Sequence, residues 1–342
     1  MIYKNAYIHN ATELCVDDDG SMTWYRMPKN LMDKFDIESA KKMNVCSTGV
    51  EVRFVLNGDS ATVRMRAVDN GGSTDNSFHI FRGGVQGGYT DMVNVNVGSD
   101  ERSYVIEKAK NIEILKAMSR EANDGFSPEV IRIIFDRGTY KILDISGDIR
   151  PPKTEEMPSK TLMCYGSSIT HGSNSLDMSH SWASMVSRKL HMDLRNLGMA
   201  GSCAMEHDVI DYIASEGEKG NWDMAILELG ANVLSWKPDK IRERTSYAIT
   251  NVAKRNPDKR IFIISPIYGG YDFKGMDIAV IWRKTLEEVV SSLAFDNVTY
   301  INGLDLLGKI SLLSADEVHP NIYGVEEMEK KLIKIIKESS KL

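Results

Sequence analysis

Thr161-Leu162-Met163-Cys164-Tyr165-Gly166-Ser167-Ser168-Ile169-Thr170-His171-Gly172 decides how the chain is read, because it joins a short apolar run to a Gly-Ser-Ser step and a polar loop. The run Thr161–Tyr165 has the unbroken apolar character of a strand covered on both faces, as in a parallel sheet. A serine placed directly after such a strand can expose its hydroxyl at the sheet's carboxyl edge and turn its backbone N–H towards the same point.

Downstream of this stretch, strand and helix patterns alternate. Strands are expected at Leu194–Leu197, Met224–Leu229, Arg260–Ser265 and Val298–Ile301. Amphipathic stretches lie between them near Ser181–Leu190, Glu206–Ser215, Pro238–Lys254 and Asp277–Leu293, and a final helix is expected at Tyr323–Ser339. Pro238 suits a first helical turn, where a missing backbone donor costs little. The alternation predicts a parallel sheet wrapped by helices, with ligands at the carboxyl ends of its strands.

Upstream the period changes from 3.6 to 2. Val50–Leu56 and Ala61–Val68 alternate in the manner of strands, and Asn57-Gly58-Asp59 between them reads as a hairpin turn. Further strands are expected at Ser77–Phe81, Met92–Val97, Arg102–Ile106 and Val130–Asp136, with glycine-rich turns over Gly83–Gly88 and little room for long helices. Many short strands with turn signals imply a β-sandwich, jelly-roll-like in type. Gly147–Glu156 carries two prolines and a charge run that suit neither a helix nor a central strand, so the domain boundary is placed there, giving domains 1–152 and 153–342.

A chain of 342 residues with 42% hydrophobic and 26% charged residues has the length of two domains and an ordinary globular composition. A net charge of −6 without a dense Lys/Arg stretch argues against nucleic acid as a partner. No run of about 18 apolar residues and no apolar signal-peptide core occurs, so no membrane span is expected and the sequence reads as cytoplasmic, or as secreted should an export signal have been removed. Cys15, Cys46, Cys164 and Cys203 lack disulfide or zinc spacing, and no His-x-x-x-His or Cys-x-x-Cys is present; no metal and no cofactor is inferred. Asp17-Asp18-Asp19-Gly20 reads as a solvated turn, since a later ligating glutamate at calcium-loop spacing is missing.

Four segments fall at carboxyl ends of expected strands or in the last loop, where the fold can gather them on one edge. Ser168 is the candidate nucleophile. Gly201, in Asn196–Ser202, would let a backbone N–H approach an anion without an intervening side chain. Asn232, in Leu227–Asn232, can donate an amide hydrogen bond to that same point, so that Ser168, Gly201 and Asn232 would form an oxyanion hole. Loss of one such donor typically costs roughly 3–4 kcal/mol of transition-state stabilisation. His319, in Ser314–Asn321, would be the general base, and Asp316 three residues earlier could fix its tautomer. Pro320 holds the histidine in extended backbone before the helix.

Each segment also has a plainer reading. Gly-Ser-Ser steps commonly satisfy only backbone groups, Asn232 and Gly201 suit ordinary turns, and Asp316 could cap the final helix. His171, His180 and His207 are alternative bases, and Ser167 is an alternative nucleophile. Trp182, Trp236 and Tyr268 could line a pocket or merely pack.

Taken together, the four segments resemble the blocks of the SGNH hydrolases, or GDSL-type esterases, in the family's order: Gly166-Ser167-Ser168, Gly201, Gly230-Ala231-Asn232 and Asp316–His319. The resemblance covers roughly 160–339 and implies a three-layer, flavodoxin-like parallel-sheet domain with Ser168 as nucleophile, at the third position of its block. Ser167 stands where the eponymous pattern has Asp. The Ser-Ser-Ile-Thr-His-Gly wording is similar to a subgroup, some with an added N-terminal β-sandwich, in which carbohydrate acetyl esterases and a few small-molecule acyltransferases occur. The resemblance implies a carbohydrate or small-molecule ester as substrate, with acyl transfer to an alcohol as the alternative. A carbohydrate-binding role for the first half is a further alternative, for which Trp24, Tyr25, Phe78, Phe81 and Tyr89 are available.

Overall fold

The strand Glu51–Ala67 runs without a break through the Asn57-Gly58-Asp59 step that reads as a hairpin turn. Its antiparallel partner Tyr140–Arg150 supplies the reason: Ala61 lies opposite Gly147 and Leu56 opposite Ile149, so several residues of one strand face Asp148 alone in the other. Such a bulge bends a strand instead of reversing it. Asn57 Nδ2 donates to Asp148 Oδ1 at 3.0 Å and seals the bend.

The computed structural model describes residues 1–69, 76–89, 91–92 and 95–340. They divide into two units, one of Met1–Lys29, Lys41–Lys160 and Ser187–Asp193, the other of Asn30–Ala40, Thr161–Val186 and Leu194–Leu342. In the first unit the bent strand pairs with Ala6–His9 and Val130–Phe135 along its first half and with Arg102–Glu107 along its second. Among the described residues one continuous, mainly antiparallel sheet of eleven strands results, the β-rich first half that the strand pattern implied. Alternate residues of this sheet, among them Val52, Phe54, Val63, Met65, Ile133, Phe135 and Ile142, form a single apolar core.

Some finer expectations for this half need correction. Ile112–Ala122 is an α-helix, with Leu115 buried and Asn123 closing it in the left-handed conformation. Of the strand expected over 92–97, residues 93 and 94 lie outside the described set, and Val95–Asn96 is a strand. The strand Tyr140–Arg150 continues through the first residues of the expected linker, because the prolines that end it come only at 151 and 152. Beyond it, Arg150 forms a two-armed pair with Glu156 at 2.6 and 2.7 Å. Trp24, Phe78 and Phe81 are buried at 1%, 0% and 7% exposure, so of the five aromatics named for a sugar surface half-buried Tyr25 and exposed Tyr89 are left. Asp17–Gly20 is a turn closed by Gly20 N–H to Asp17 O at 2.8 Å, with Asp17 paired to Lys141.

The second unit follows its periodicity closely. Strands Thr161–Gly166, Met224–Glu228, Arg260–Ile264 and Val298–Ile301 pair in parallel in that order, and Asp193–Gly198 lies on the other side of Thr161–Gly166. Helices Trp182–Lys189, His207–Glu218, Pro238–Arg255, Ile278–Leu293 and Ile322–Ser340 alternate with them. Pro238 occupies the first turn, and Ile241, Thr245, Ala248, Ile249 and Val252 give the buried stripe that a helix against a sheet requires. The strand Thr161–Gly166 sits where the strand order reverses, the point at which open α/β sheets place their ligands. Among the described residues no helix is long and apolar enough to cross a membrane.

Candidate active site

At the carboxyl end of Thr161–Gly166 the chain turns at once into the short helix Ser168–His171. Ser167 caps it, its Oγ accepting from Ile169 N–H at 3.1 Å. A helix this short leaves most of its carbonyls without a partner inside it. Trp182 Nε1 donates to Ile169 O at 3.0 Å, Asn196 Nδ2 to Thr170 O at 2.9 Å, and the Gly172 and Ser173 N–H groups both reach Ser168 O at 3.0 Å. The turn carrying Ser168 is therefore fixed from several sides, and Ser168 itself is 9% exposed.

His319 meets it from the last loop. Nε2 of His319 lies 2.7 Å from Ser168 Oγ, and Nδ1 lies 2.8 Å from Asp316 Oδ2. Asp316 Oδ1 accepts from the Val318 and His319 N–H groups, both at 2.9 Å, which folds Asp316–His319 into a side-chain-closed turn. Glu317 within it takes a left-handed φ of 63°, held by Gly270 N–H to Glu317 O at 2.7 Å and by an ion pair with Lys274. Burial alone would raise the Asp316 carboxyl, but the hydrogen bonds from His319 and Val318 outweigh it and bring it down to about 2. It is an anion throughout the ordinary pH range. Asp316 does not cap the final helix; Asn321 does, accepting from Gly324 N–H at 3.0 Å.

Sequence patterns gave no hint of Asn174. Its Nδ2 donates to Asp316 Oδ2 at 2.7 Å, so one carboxylate oxygen serves Asn174 and His319 together. Glu228 was also missed as a site residue; its carboxylate accepts hydrogen bonds from Ser167 and Thr170. The available signal was a charged residue at the end of the apolar run Met224–Leu227.

Gly201 has φ 65°, a left-handed conformation that disfavours side chains, and a Cβ built there would meet nothing within 4 Å. Conformation, not crowding, calls for glycine at this point. Asn232 accepts from Cys203 N–H through Oδ1 at 3.0 Å, which fixes which end of its amide is the donor.

The other sequence candidates are placed elsewhere. His171 is buried in the short helix, His180 lies 3.7 Å from Glu326, and His207 stacks on Tyr247 and pairs with Glu243. Burial pushes the Cys164 and Cys203 thiols up, the opposite of a reactive thiolate. Trp182 is 1% exposed and serves the turn through its indole N–H. Trp236 packs beside Trp282 and under Lys240, and Tyr268 is half-buried. Ser167 Oγ bonds Glu228 instead of a histidine.

A parallel sheet with a serine, a histidine and an aspartate hydrogen-bonded in series at its carboxyl edge defines a class of acyl-transferring enzymes. The GDSL-like lipase/acylhydrolase family model matches residues 159–337, and the chain belongs to that family. No curated protein matches in sequence. Among solved structures the chain is similar to a salicylyl-acyltransferase from a tetracycline biosynthetic pathway, with TM-score 0.77 and 14% identity over 99% of this chain and 96% of that one. It is also similar to a putative GDSL-like lipase from Bacteroides ovatus, with TM-score 0.69 and 19% identity over 98% of each. A family two carbohydrate esterase from Cellvibrio japonicus gives TM-score 0.66 and 11% identity over 99% of this chain and 96% of that one. Identities this low establish a shared fold, and the similarity extends through the β-rich first unit.

Proposed function

We propose that the chain is a serine carboxyl-ester hydrolase that removes acetyl or another short acyl group from a carbohydrate or small-molecule ester. The observation that carries this reading is the chain of contacts from Asp316 Oδ2 through His319 to Ser168 Oγ, at 2.8 and 2.7 Å. Ser168 Oγ attacks the ester carbonyl while His319 Nε2 takes its proton, and Asp316 holds the imidazole in the tautomer that leaves Nε2 free to accept. The carbonyl oxygen becomes an anion held by the N–H groups of Ser168 and Gly201 and by Asn232 Nδ2. Because Asn232 Oδ1 already accepts from Cys203, the amide's NH2 end is the one left for the substrate. Collapse breaks the bond to the alcohol, which leaves with the proton from His319. Water, deprotonated by His319, then releases the acyl group and restores Ser168.

The likeness over almost the whole chain to an acyltransferase supports a second reading, in which a bound alcohol receives the acyl group before water does. The chemistry up to the acyl-enzyme is identical, so the acceptor alone distinguishes the two.

The test is cleavage of p-nitrophenyl acetate and acetylated sugars, alone and with added alcohols, together with intact-mass and peptide mapping after a serine-directed phosphonate. The expected result is free acetate, one adduct at Ser168, and no cleavage by Ser168→Ala. Cleavage surviving that substitution overturns the assignment; an acylated alcohol formed in preference to acetate selects the transferase.

A further inference from the structure

Glu228 ends the buried strand Met224–Glu228 and is 1% exposed. Its Oε2 accepts from Ser167 N–H at 2.8 Å, Ser167 Oγ at 2.6 Å and Thr170 Oγ1 at 3.1 Å, so one oxygen grips the residue before the nucleophile and the residue two beyond it. The approach is close enough to dictate Gly166: a Cβ there would lie 2.7 Å from Glu228 Oε2 and 2.3 Å from Thr170 Oγ1. The other oxygen, Oε1, is buried with no hydrogen-bond partner among the described residues. A charged carboxylate oxygen is far costlier to leave bare in the interior than a neutral hydroxyl, so a proton on it lowers that cost. The carboxylate thus has an oxygen engaged with the turn and an oxygen disposed to take up a proton.

We propose that Glu228 is a positioning residue for Ser168: its carboxylate anchors the Gly166–Thr170 turn so that the Ser168 hydroxyl meets His319, and protonation at Oε1 weakens that anchor. The inference rests on Ser168 being the nucleophile. Burial pushes Glu228 up to about 6, against the lowering by the Ser167 and Thr170 hydrogen bonds, so the carboxyl changes charge within the working range of a histidine base. The ionisable groups whose charge acts with it are Cys203, from the loop after Asp193–Gly198, and Tyr271, from the short helix Gly270–Phe273. Burial pushes both up, so both stay neutral while Glu228 titrates. Above its transition the anion holds the donors of Ser167 and Thr170 strongly; below it a neutral carboxyl accepts the same bonds more weakly.

The test is inactivation of the full chain by a serine-directed phosphonate, with kinact and KI measured across the interval around pH 6 and the adduct mapped by mass. Glu228→Gln makes the neutral form permanent. It is expected to lower kinact roughly tenfold above the transition while leaving KI unchanged, as exchange of an ionised for a neutral acceptor implies. In the wild type kinact falls on acidification more steeply than one ionisation allows; in Glu228→Gln it follows a single ionisation. Thr170→Val removes one donor but keeps the carboxylate, which raises Glu228 further and moves the acid limb to higher pH. This variant decides the matter should Glu228→Gln fail to give a cooperative melt. Unchanged kinact in Glu228→Gln, a lowered kinact that retains the steep acid limb, or an unmoved limb in Thr170→Val overturns the proposal. A wild-type adduct away from Ser168 overturns the reading of the nucleophile instead.

Discussion

Asn174 and His319 converge on one atom, Asp316 Oδ2, at 2.7 and 2.8 Å from loops at opposite ends of the second unit's sequence. A histidine partner that itself receives a fixed donor keeps its orientation when the ring moves through the reaction, the role that outer hydrogen bonds play around metal-bound histidines. Asn174→Ala is expected to lower kcat of ester cleavage by about tenfold, within the 10- to 100-fold range of such supporting groups. Asn174→Asp brings a second carboxylate against Asp316 and should cost more. Steady-state kinetics on p-nitrophenyl acetate checks the order wild type, Asn174→Ala, Asn174→Asp.

Asp316→Asn tests the tautomer. The amide can present its NH2 to Nδ1 and so favour the ring form in which Nε2 carries the proton and cannot accept from Ser168. A fall in kcat of roughly 10^4 is expected, as for the equivalent change in Ser-His-Asp proteases. Because hydrogen bonds hold the Asp316 carboxyl at about 2, activity of the wild type should show no ionisation of Asp316 at any pH where the enzyme stays folded. A kcat for Asp316→Asn within tenfold of the wild type would remove Asp316 from the mechanism.

Asn232→Ala removes the side-chain donor proposed for the oxyanion. The loss is expected almost entirely in kcat, by about 10^2- to 10^3-fold, with KM little changed, because the bond strengthens only as the oxygen becomes anionic. The same substitution frees Cys203 N–H, which Asn232 Oδ1 accepts at 3.0 Å. A change confined to KM would place Asn232 in substrate binding and not in the oxyanion hole.

The parallel sheet was legible because strands covered on both faces are apolar throughout, and Arg260–Ile264 and Val298–Ile301 follow their runs to within a residue. The candidates Ser168, His319 and Asp316 stand out as local wordings around turns, and the structure joins these three by hydrogen bonds. Asn174 and Glu228 do not stand out, since their roles depend on pairings across 142 and 61 positions that no local pattern records. The bend in Glu51–Ala67 was hidden for a related reason: Asn-Gly-Asp favours a reversal in isolation, and only the bulge opposite Asp148 turns it into a corner. Ile112–Ala122 went unread although its apolar residues recur with helical period, because it interrupts a run of short strands whose period-2 pattern dominates that half.

Arg53 offers a stability test within the first unit. Its guanidinium is fully buried and holds Asp193 with two hydrogen bonds at 2.6 and 2.7 Å and Glu51 with one at 2.8 Å. Glu51 is also gripped by Arg132 at 2.6 and 2.7 Å, and Arg132 stacks 4.0 Å from the Phe126 ring centroid. Burial would raise both carboxyls, but the arginines prevail: Arg132 and Arg53 hold Glu51, and Arg53 with His9 holds Asp193, below the usual carboxylate range. Groups with depressed folded values give stability that is present above the unfolded value of about 4 and lost as pH falls below it. Arg53→Met leaves two buried carboxylates short of a partner and should lower unfolding free energy by about 3–5 kcal/mol near neutrality. In urea titrations the gap between wild type and Arg53→Met should narrow as pH falls: above about 4 protonation already relieves the variant's buried, unpaired carboxylates, and below about 4 the wild type loses stability as its unfolded chain takes up protons that the paired carboxylates do not. A gap that stays constant with pH would mean that Arg53 contributes through packing on Phe126, 5.0 Å from its ring centroid, and not through charge.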